Sequence, residues 1–214
     1  MSHLKLMILI VFVILISIAN FDCTSEKETS DEYEQLSFNI NNELLSDVFI
    51  DSTLDLQFSP PLGWKRLDKS IISQLKNQLK LTISDLPHYQ LTPKEIFFND
   101  ENNALCAISV YLNVPDTASF KDFRQAYKRF VLDNFSETLK KNDLSRINNL
   151  NFYQMVIMDQ KVVNFKFFGK NNSKHPYQID YIIPNDEYSD LMKSIESSIG
   201  TLNKIPLTKE EDVL

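Results

Sequence analysis

Glycine is scarce in this sequence. Its 214 residues include three glycines, Gly63, Gly169 and Gly200, and no two of them are close enough to build a phosphate-binding loop or a dinucleotide-binding turn. The short motifs of zinc proteases, thiol oxidoreductases and serine hydrolases do not occur either. The sequence therefore predicts no nucleotide cofactor, and we expect a protein that is not an enzyme.

Histidine and cysteine are also sparse. Beyond the N-terminal segment the histidines are His88 and His175, and the cysteines are Cys23 and Cys106. Their spacing matches no transition-metal site, so we predict no metal. Asp85 is near enough in sequence to orient His88, as general-base catalysis requires. A loop histidine beside a proline is the simpler interpretation of that pair.

Basic residues are outnumbered. The chain has 22 lysines and arginines against 29 acidic residues, which gives a formal net charge of −7. A nucleic acid or an anionic membrane surface favours the opposite sign, so we predict no nucleic-acid partner. The length allows one domain.

A hydrophobic run long enough to span a membrane is missing as well. The apolar run from Leu6 to Ala19 has 14 residues, whereas a spanning helix needs about 20. A short apolar run after a weakly basic start is typical of a secretory signal, so residues 1–22 are predicted to be a signal peptide. The small residues Ser17 and Ala19 would permit cleavage before Asn20.

Cys23 stands directly after this run. Its position resembles that of the lipidated cysteine in bacterial lipoproteins, and it predicts a lipid anchor to a bacterial membrane on the extracytoplasmic side. The preceding residues Asn20 and Asp22 depart from the small and aliphatic residues of the lipoprotein motif. Simple secretion, to the periplasm or beyond, and an uncleaved membrane anchor are the alternatives.

The acidic residues after Cys23 predict a flexible tether over 23–48. A domain follows over 49–205, and 206–214 is predicted to be a tail. Segments 36–40 and 43–50 fit either a short helix or an added edge strand.

Within the domain, alternating apolar residues predict a strand at 53–58 with Leu54, Leu56 and Phe58 inward. A helix is expected after Asp68, and paired strands at 93–99 and 104–113. Alternation along the second of these strands places Cys106 on its apolar face, as a small buried residue.

The second half continues with a helix at 119–140, strands at 151–158, 161–168 and 177–183, and a last helix after a cap at Asn185 or Asp186. The first helix carries an apolar stripe of Phe120, Phe123, Tyr127, Phe130 and Val131. Packing against a sheet is favoured over a ligand groove. Gly200 stands where a helix end often has positive φ.

Strands joined by tight turns run antiparallel, so this order predicts an α+β fold with a central, mostly antiparallel sheet flanked by helices.

Two segments carry a resemblance to a known family. The segment Phe58-Ser-Pro-Pro-Leu-Gly-Trp64 and the ending formed by strand 177–184 and its closing helix resemble PsbP-like domains, including bacterial envelope lipoproteins of the DcrB type. The resemblance implies an antiparallel sheet sandwiched by helices, partners that are proteins, and no shared catalytic residues. Trp64 is a candidate anchor for a partner or ligand, although its place in the motif favours a packed corner.

Three functions follow. The first is a membrane-tethered, non-enzymatic binding or assembly protein of the bacterial envelope. The second is a hydrolase whose site would bring Asp85, His88 and His175 together. The third is a secreted carrier of a small ligand, which requires a cavity between the sheet and the long helix, lined by residues such as Phe123, Tyr127 and Phe167.

Overall fold

In the computed structural model, residues 32–82, 90–112, 114, 120–171 and 175–206 are described. The strands are β1 (Glu34–Leu36), β2 (Phe49–Asp51), β3 (Leu56–Phe58), β4 (Lys65–Arg66), β5 (Gln90–Phe98), β6 (Leu105–Leu112), β7 (Leu139–Ile147), β8 (Leu150–Met158), β9 (Val162–Gly169) and β10 (Tyr177–Pro184). The helices are α1 (Lys69–Thr82), α2 (Phe120–Phe135) and α3 (Tyr188–Gly200), and a 3-10 turn covers Asn42–Leu44. The signal peptide, Cys23, Asp85, His88 and the tail beyond Pro206 lie outside the described residues.

Within these ranges, eight strands form one sheet in the order β1-β7-β8-β9-β10-β6-β5-β4, and β2 and β3 form a separate hairpin. Neighbouring strands of the sheet are antiparallel except for β1 and β7, which are parallel. With helices packed on the sheet, this is the α+β fold that the sequence predicts.

The sheet has two apolar faces, and each face packs against a helix. The α3 face holds Cys106, Ile108 and the alternate residues of β10, and it packs against α3 and the β2–β3 hairpin. The α2 face packs against α2. The predicted alternation of β10 is confirmed by the buried residues Tyr177, Ile179, Tyr181 and Ile183.

The apolar stripe of α2 fills the space between that helix and the sheet. Phe123 and Tyr127 are buried, and their rings lie 5.1 Å from those of Tyr111 and Phe168 respectively. Such aromatic pairs contribute about 0.5–1.5 kcal/mol each beyond the area that they bury. The packing interpretation of the stripe is therefore confirmed. Phe167, expected beside this helix, lies on the α3 face against Phe152.

Strand β7 replaces the end of the predicted long helix. The helix ends at Phe135, and Leu139–Ile147 forms a strand between β1 and β8, with a bulge between Leu139 and Lys141. The expectation of a helix to residue 140 is wrong because the polar residues of this segment disguise its alternation. Its backbone instead completes the hydrogen bonding of β8.

The folded unit begins earlier than the expected boundary at residue 49. Strand β1 pairs with β7, and the Lys141 Nζ lies 3.0 Å from a Glu34 carboxylate oxygen. The compact unit starts at Tyr33. Residues 34–48 therefore belong to the domain and not to a tether, and they supply both an edge strand and a short helical turn.

Both predicted ends of α3 differ from the structure. The N-cap is Glu187, which makes no side-chain capping bond, and neither Asn185 nor Asp186 caps the helix. Gly200 closes the helix without a positive φ; the only glycine of the described residues with positive φ is Gly63. A Cβ at Gly200 would lie 2.7 Å from the Phe38 Cβ, so glycine is needed there for close approach of the chain.

None of the helices in the described part of the chain combines the length and the hydropathy that a membrane span needs.

Candidate functional site

A cleft of about 330 Å³ lies between the tip of the β2–β3 hairpin, α1 and strands β5 and β6. Its volume is at the lower end of the roughly 300–1,000 Å³ typical of small-molecule sites. Its lining includes apolar residues on the sheet and hairpin and cationic or imidazole groups on the surrounding elements. These residues are Thr53, Leu54, Lys76, Thr92, Pro93, Lys94, Val110, Leu112 and His175.

A β-bulge shapes the sheet side of this cleft. Pro93 has no N–H to donate to the ladder, and the pairing of β5 with β6 shifts register between Pro93 and Glu95. A bulge changes the direction in which side chains point. Thr92 lies opposite Val110 just before the register shift, and Lys94, which lies within the shift, reaches the hairpin tip.

The hairpin wall is held by an ion pair. The Lys94 Nζ lies 2.6 Å from the Asp51 Oδ2 and also donates to the Thr53 hydroxyl. The Asp51 Oδ1 accepts hydrogen bonds from the Thr53 and Leu54 backbone N–H groups. Burial alone would raise the pKa of Asp51, but the bonds from Lys94 and Thr53 hold it below its ordinary value. The ion pair and these hydrogen bonds thus hold the tip of the β2–β3 hairpin, which forms one wall of the cleft.

Aromatic contacts fix the base of the same hairpin. The rings of Phe49 and Phe97 are 5.3 Å apart, and those of Phe58 and Phe97 are 5.6 Å apart. The Arg66 guanidinium lies over Phe49 and forms a two-point ion pair with Glu95, at 2.6 and 2.7 Å. These contacts place the hairpin on the sheet without involving the cleft residues.

Thr92 is the unusual residue of the cleft. Its Oγ1 is buried and makes no hydrogen bond within the described part of the protein. A buried hydroxyl without a partner costs about 1–3 kcal/mol. Thr92 therefore lines the cleft next to an apolar floor and carries a buried hydroxyl without a partner among the described residues.

A second polar cluster lies on the α2 face and is structural. The Lys166 Nζ lies 2.5 Å from the Asp180 Oδ1, and the Gln178 amide donates to the Asp180 Oδ2 over 2.6 Å. The hydroxyls of Tyr111 and Tyr127 both donate to the Gln178 Oε1 at 2.7 Å. Burial raises the pKa of both tyrosines. Because Tyr127 belongs to α2, the cluster joins that helix to the sheet.

Among the residues singled out from the sequence, the structure describes Trp64, Cys106 and His175. Trp64 is 6% exposed and packs beside Tyr181, 6.4 Å between ring centres, which leaves little of its ring for a partner. Cys106 is fully buried, and burial raises the pKa of its thiol well above the ordinary value. His175 lies at the cleft. Cys23, Asp85 and His88 are outside the described residues.

The cleft residues Lys76, Thr92 and Lys94 were not predicted as a site. One signal was present in the sequence, since a proline inside a strand pattern indicates a bulge, and bulges are common next to binding sites. The hairpin and α1, which complete the cleft, are distant in the chain. Among the described residues, no group of acidic, histidine or cysteine side chains has the arrangement of a metal site.

The comparisons with known proteins find little. No family model matches the chain, and no curated protein matches it. Among solved structures, it is similar to the solution structure of cyanobacterial PsbP (CyanoP) from Synechocystis sp. PCC 6803, with 12% identity and a TM-score of 0.45. The match covers 74% of this chain and 92% of that chain. A likeness at this level carries no argument about function.

Proposed function

We propose that this protein is a membrane-tethered, non-enzymatic binding protein of the bacterial envelope, built on a PsbP-like domain. The cleft at the hairpin tip is the observation that carries the binding role. It combines an apolar floor, nearby cationic side chains and a buried hydroxyl without a partner. Convergence of a few polar groups on an apolar pocket is the usual character of a binding site.

The charged groups of the cleft support binding over catalysis. Lys94, the lysine nearest the hairpin tip, is held by Asp51 and Thr53 and is 29% exposed. These contacts use the Lys94 ammonium to hold the hairpin tip against the sheet, which is a structural role and not a catalytic one. We therefore assign the cleft to recognition.

The tether is supported by the N-terminal sequence. The apolar run Leu6–Ala19 and the position of Cys23 are typical of a chain that is exported and then lipidated at cysteine. The intact mass of the native protein, extracted from its own membranes, tests this directly. The expected mass is that of a chain that starts at Cys23 and carries a diacylglyceryl group.

Two variants make the mass measurement specific. Cys23→Ala should lose the lipid mass, and Cys106→Ala should keep it, because Cys106 is buried in the core and is the only other cysteine. An unmodified chain starting at Asn20 would refute the anchor and favour simple secretion.

The binding role is tested separately by photo-crosslinking in native membranes. A crosslinking residue placed at Lys76 on the cleft should give an adduct of one defined mass. The same residue placed at Lys193, an exposed lysine of α3, is the matched control. Equal labelling at both positions would refute binding at the cleft. Catalytic turnover that depends on His88 and His175 would instead establish the hydrolase alternative.

A further inference from the structure

We propose that the cleft binds a small amphipathic carboxylate, with its apolar part on the sheet and its carboxylate toward Lys76 and Thr92. This inference rests on the proposed binding function and adds the chemical class of the ligand.

The floor of the cleft suits a short apolar chain. Leu54 is 3% exposed and belongs to the core of the α3 face. Val110 and Leu112 come from β6, two positions apart, so they project from the same side of the sheet. A ligand lying along β6 would cover both side chains and would displace water from apolar surface, which is favourable.

The charge of the cleft selects an anion of low charge. Lys94 is already neutralised by Asp51, at 2.6 Å. No described residue forms an ion pair with Lys76, so within the described part of the protein it is the lysine of the cleft whose charge is not neutralised. One such lysine matches a monoanion better than a phosphate, which carries a higher charge at neutral pH.

Thr92 gives the inference its geometric basis. The register places Thr92 directly opposite Val110, so the hydroxyl and the apolar floor share one side of the sheet. Its Oγ1 is buried and has no partner among the described residues. The Thr92 hydroxyl would donate a hydrogen bond to a carboxylate oxygen at the cleft, and a charged acceptor forms a stronger hydrogen bond than a neutral one.

Octanoate is the probe, measured by equilibrium dialysis of the full chain in lipid nanodiscs against empty nanodiscs. The controls are 1-octanol, which keeps the apolar chain without charge, and octylamine, which reverses the charge. We expect octanoate to bind at least tenfold more tightly than either control, a difference of about 1.4 kcal/mol. Equal binding of the three compounds would show apolar partition only and would refute the inference.

Thr92→Val separates a ligand-binding role from a structural role. The substitution removes the unpaired hydroxyl and keeps the shape of the side chain. The melting temperature of the variant should therefore equal or exceed that of the wild type. Its affinity for octanoate should nevertheless fall by at least fivefold. Unchanged affinity would overturn the inference.

Lysine variants test the charge in the same assay. Lys76→Met should weaken octanoate binding at least tenfold, while Lys193→Met on the exposed surface of α3 should leave it unchanged. Equal effects of the two variants would indicate a general loss of positive charge and would contradict a site at the cleft.

The outcome is independent of the tether. Cys23→Ala should bind octanoate as tightly as the wild type. Octanoate binding by a wild-type protein that carries no lipid would refute the anchor and support the ligand, and a lipidated wild-type protein that does not bind octanoate would do the reverse.

Discussion

The buried ion pair between Lys166 and Asp180 can be tested by removing the lysine. These residues are directly opposite each other on β9 and β10, and their side chains are 16% and 8% exposed. In Lys166→Met the Asp180 carboxylate would keep only the amide of Gln178 as a described hydrogen-bond donor, at 2.6 Å. The variant therefore leaves a charge enclosed beneath α2.

Removing one partner of a buried ion pair costs about 3–5 kcal/mol. The partial exposure of Lys166 places the expected loss near the lower end, at about 3 kcal/mol. For a chain of this length, that loss lowers the melting temperature by about 6–12 °C. The double variant Lys166→Met/Asp180→Asn removes both charges and keeps an acceptor for Gln178, so it should regain at least half of the loss.

Thermal unfolding of the full chain is a suitable assay, because Trp64 is the single tryptophan and is buried, and its fluorescence reports on the core. Lys65→Met is the matched control. Lys65 pairs with Asp100 at 2.8 Å, but the two side chains are 71% and 59% exposed. Because water screens such an exposed pair, it contributes little to stability, and we expect no measurable change in the melting temperature of Lys65→Met.

The pH dependence gives an independent check. Burial alone would lower the pKa of Lys166, but the Asp180 carboxylate raises it above its ordinary value of 10.5. The stabilisation is therefore complete below pH 10.5 and is lost as the pH rises further. Wild type should lose more stability than Lys166→Met in this alkaline range. A melting temperature of Lys166→Met equal to that of wild type at neutral pH would refute the reasoning.

Two further predictions concern stability. Gly200→Ala should cost about 1–3 kcal/mol in unfolding free energy, because its Cβ would lie 2.7 Å from the Phe38 Cβ; an unchanged urea midpoint would contradict this. Asp51 has a lowered pKa, so it contributes stability above its ordinary pKa of 3.8 that is lost as the pH falls below that value. Asp51→Asn should reduce that acid-induced loss, and identical acid unfolding curves would show that Asp51 is not responsible.

The elements that sequence patterns predicted well are those with one clearly apolar face. In β10 every second residue is apolar, and in α2 and α3 the apolar residues recur at helical spacing. All three elements pack those residues against the core, some fully and some partly buried. Burial of such a face is the dominant favourable contribution to folding, so local periodicity is informative there.

Strand β7 shows where this reasoning fails. Its sequence from Leu139 to Ile147 is mostly polar, and a bulge interrupts its alternation. It is a strand because β8 on one side and β1 on the other satisfy its backbone groups. Strand β1 likewise depends on β7, which follows it by about a hundred residues. Neither pairing leaves a periodic signal in the chain.

By itself, the sequence determined which elements have an apolar face and that these build an α+β fold, and it placed Cys23 after the apolar run Leu6–Ala19. Tertiary structure alone decided the contacts between distant segments. Gly200 meets Phe38, Lys166 meets Asp180, and the cleft joins the hairpin tip to α1 and the bulge of β5. Hydrophobic periodicity is a property of neighbouring residues, whereas these contacts depend on how the sheet brings separate strands together.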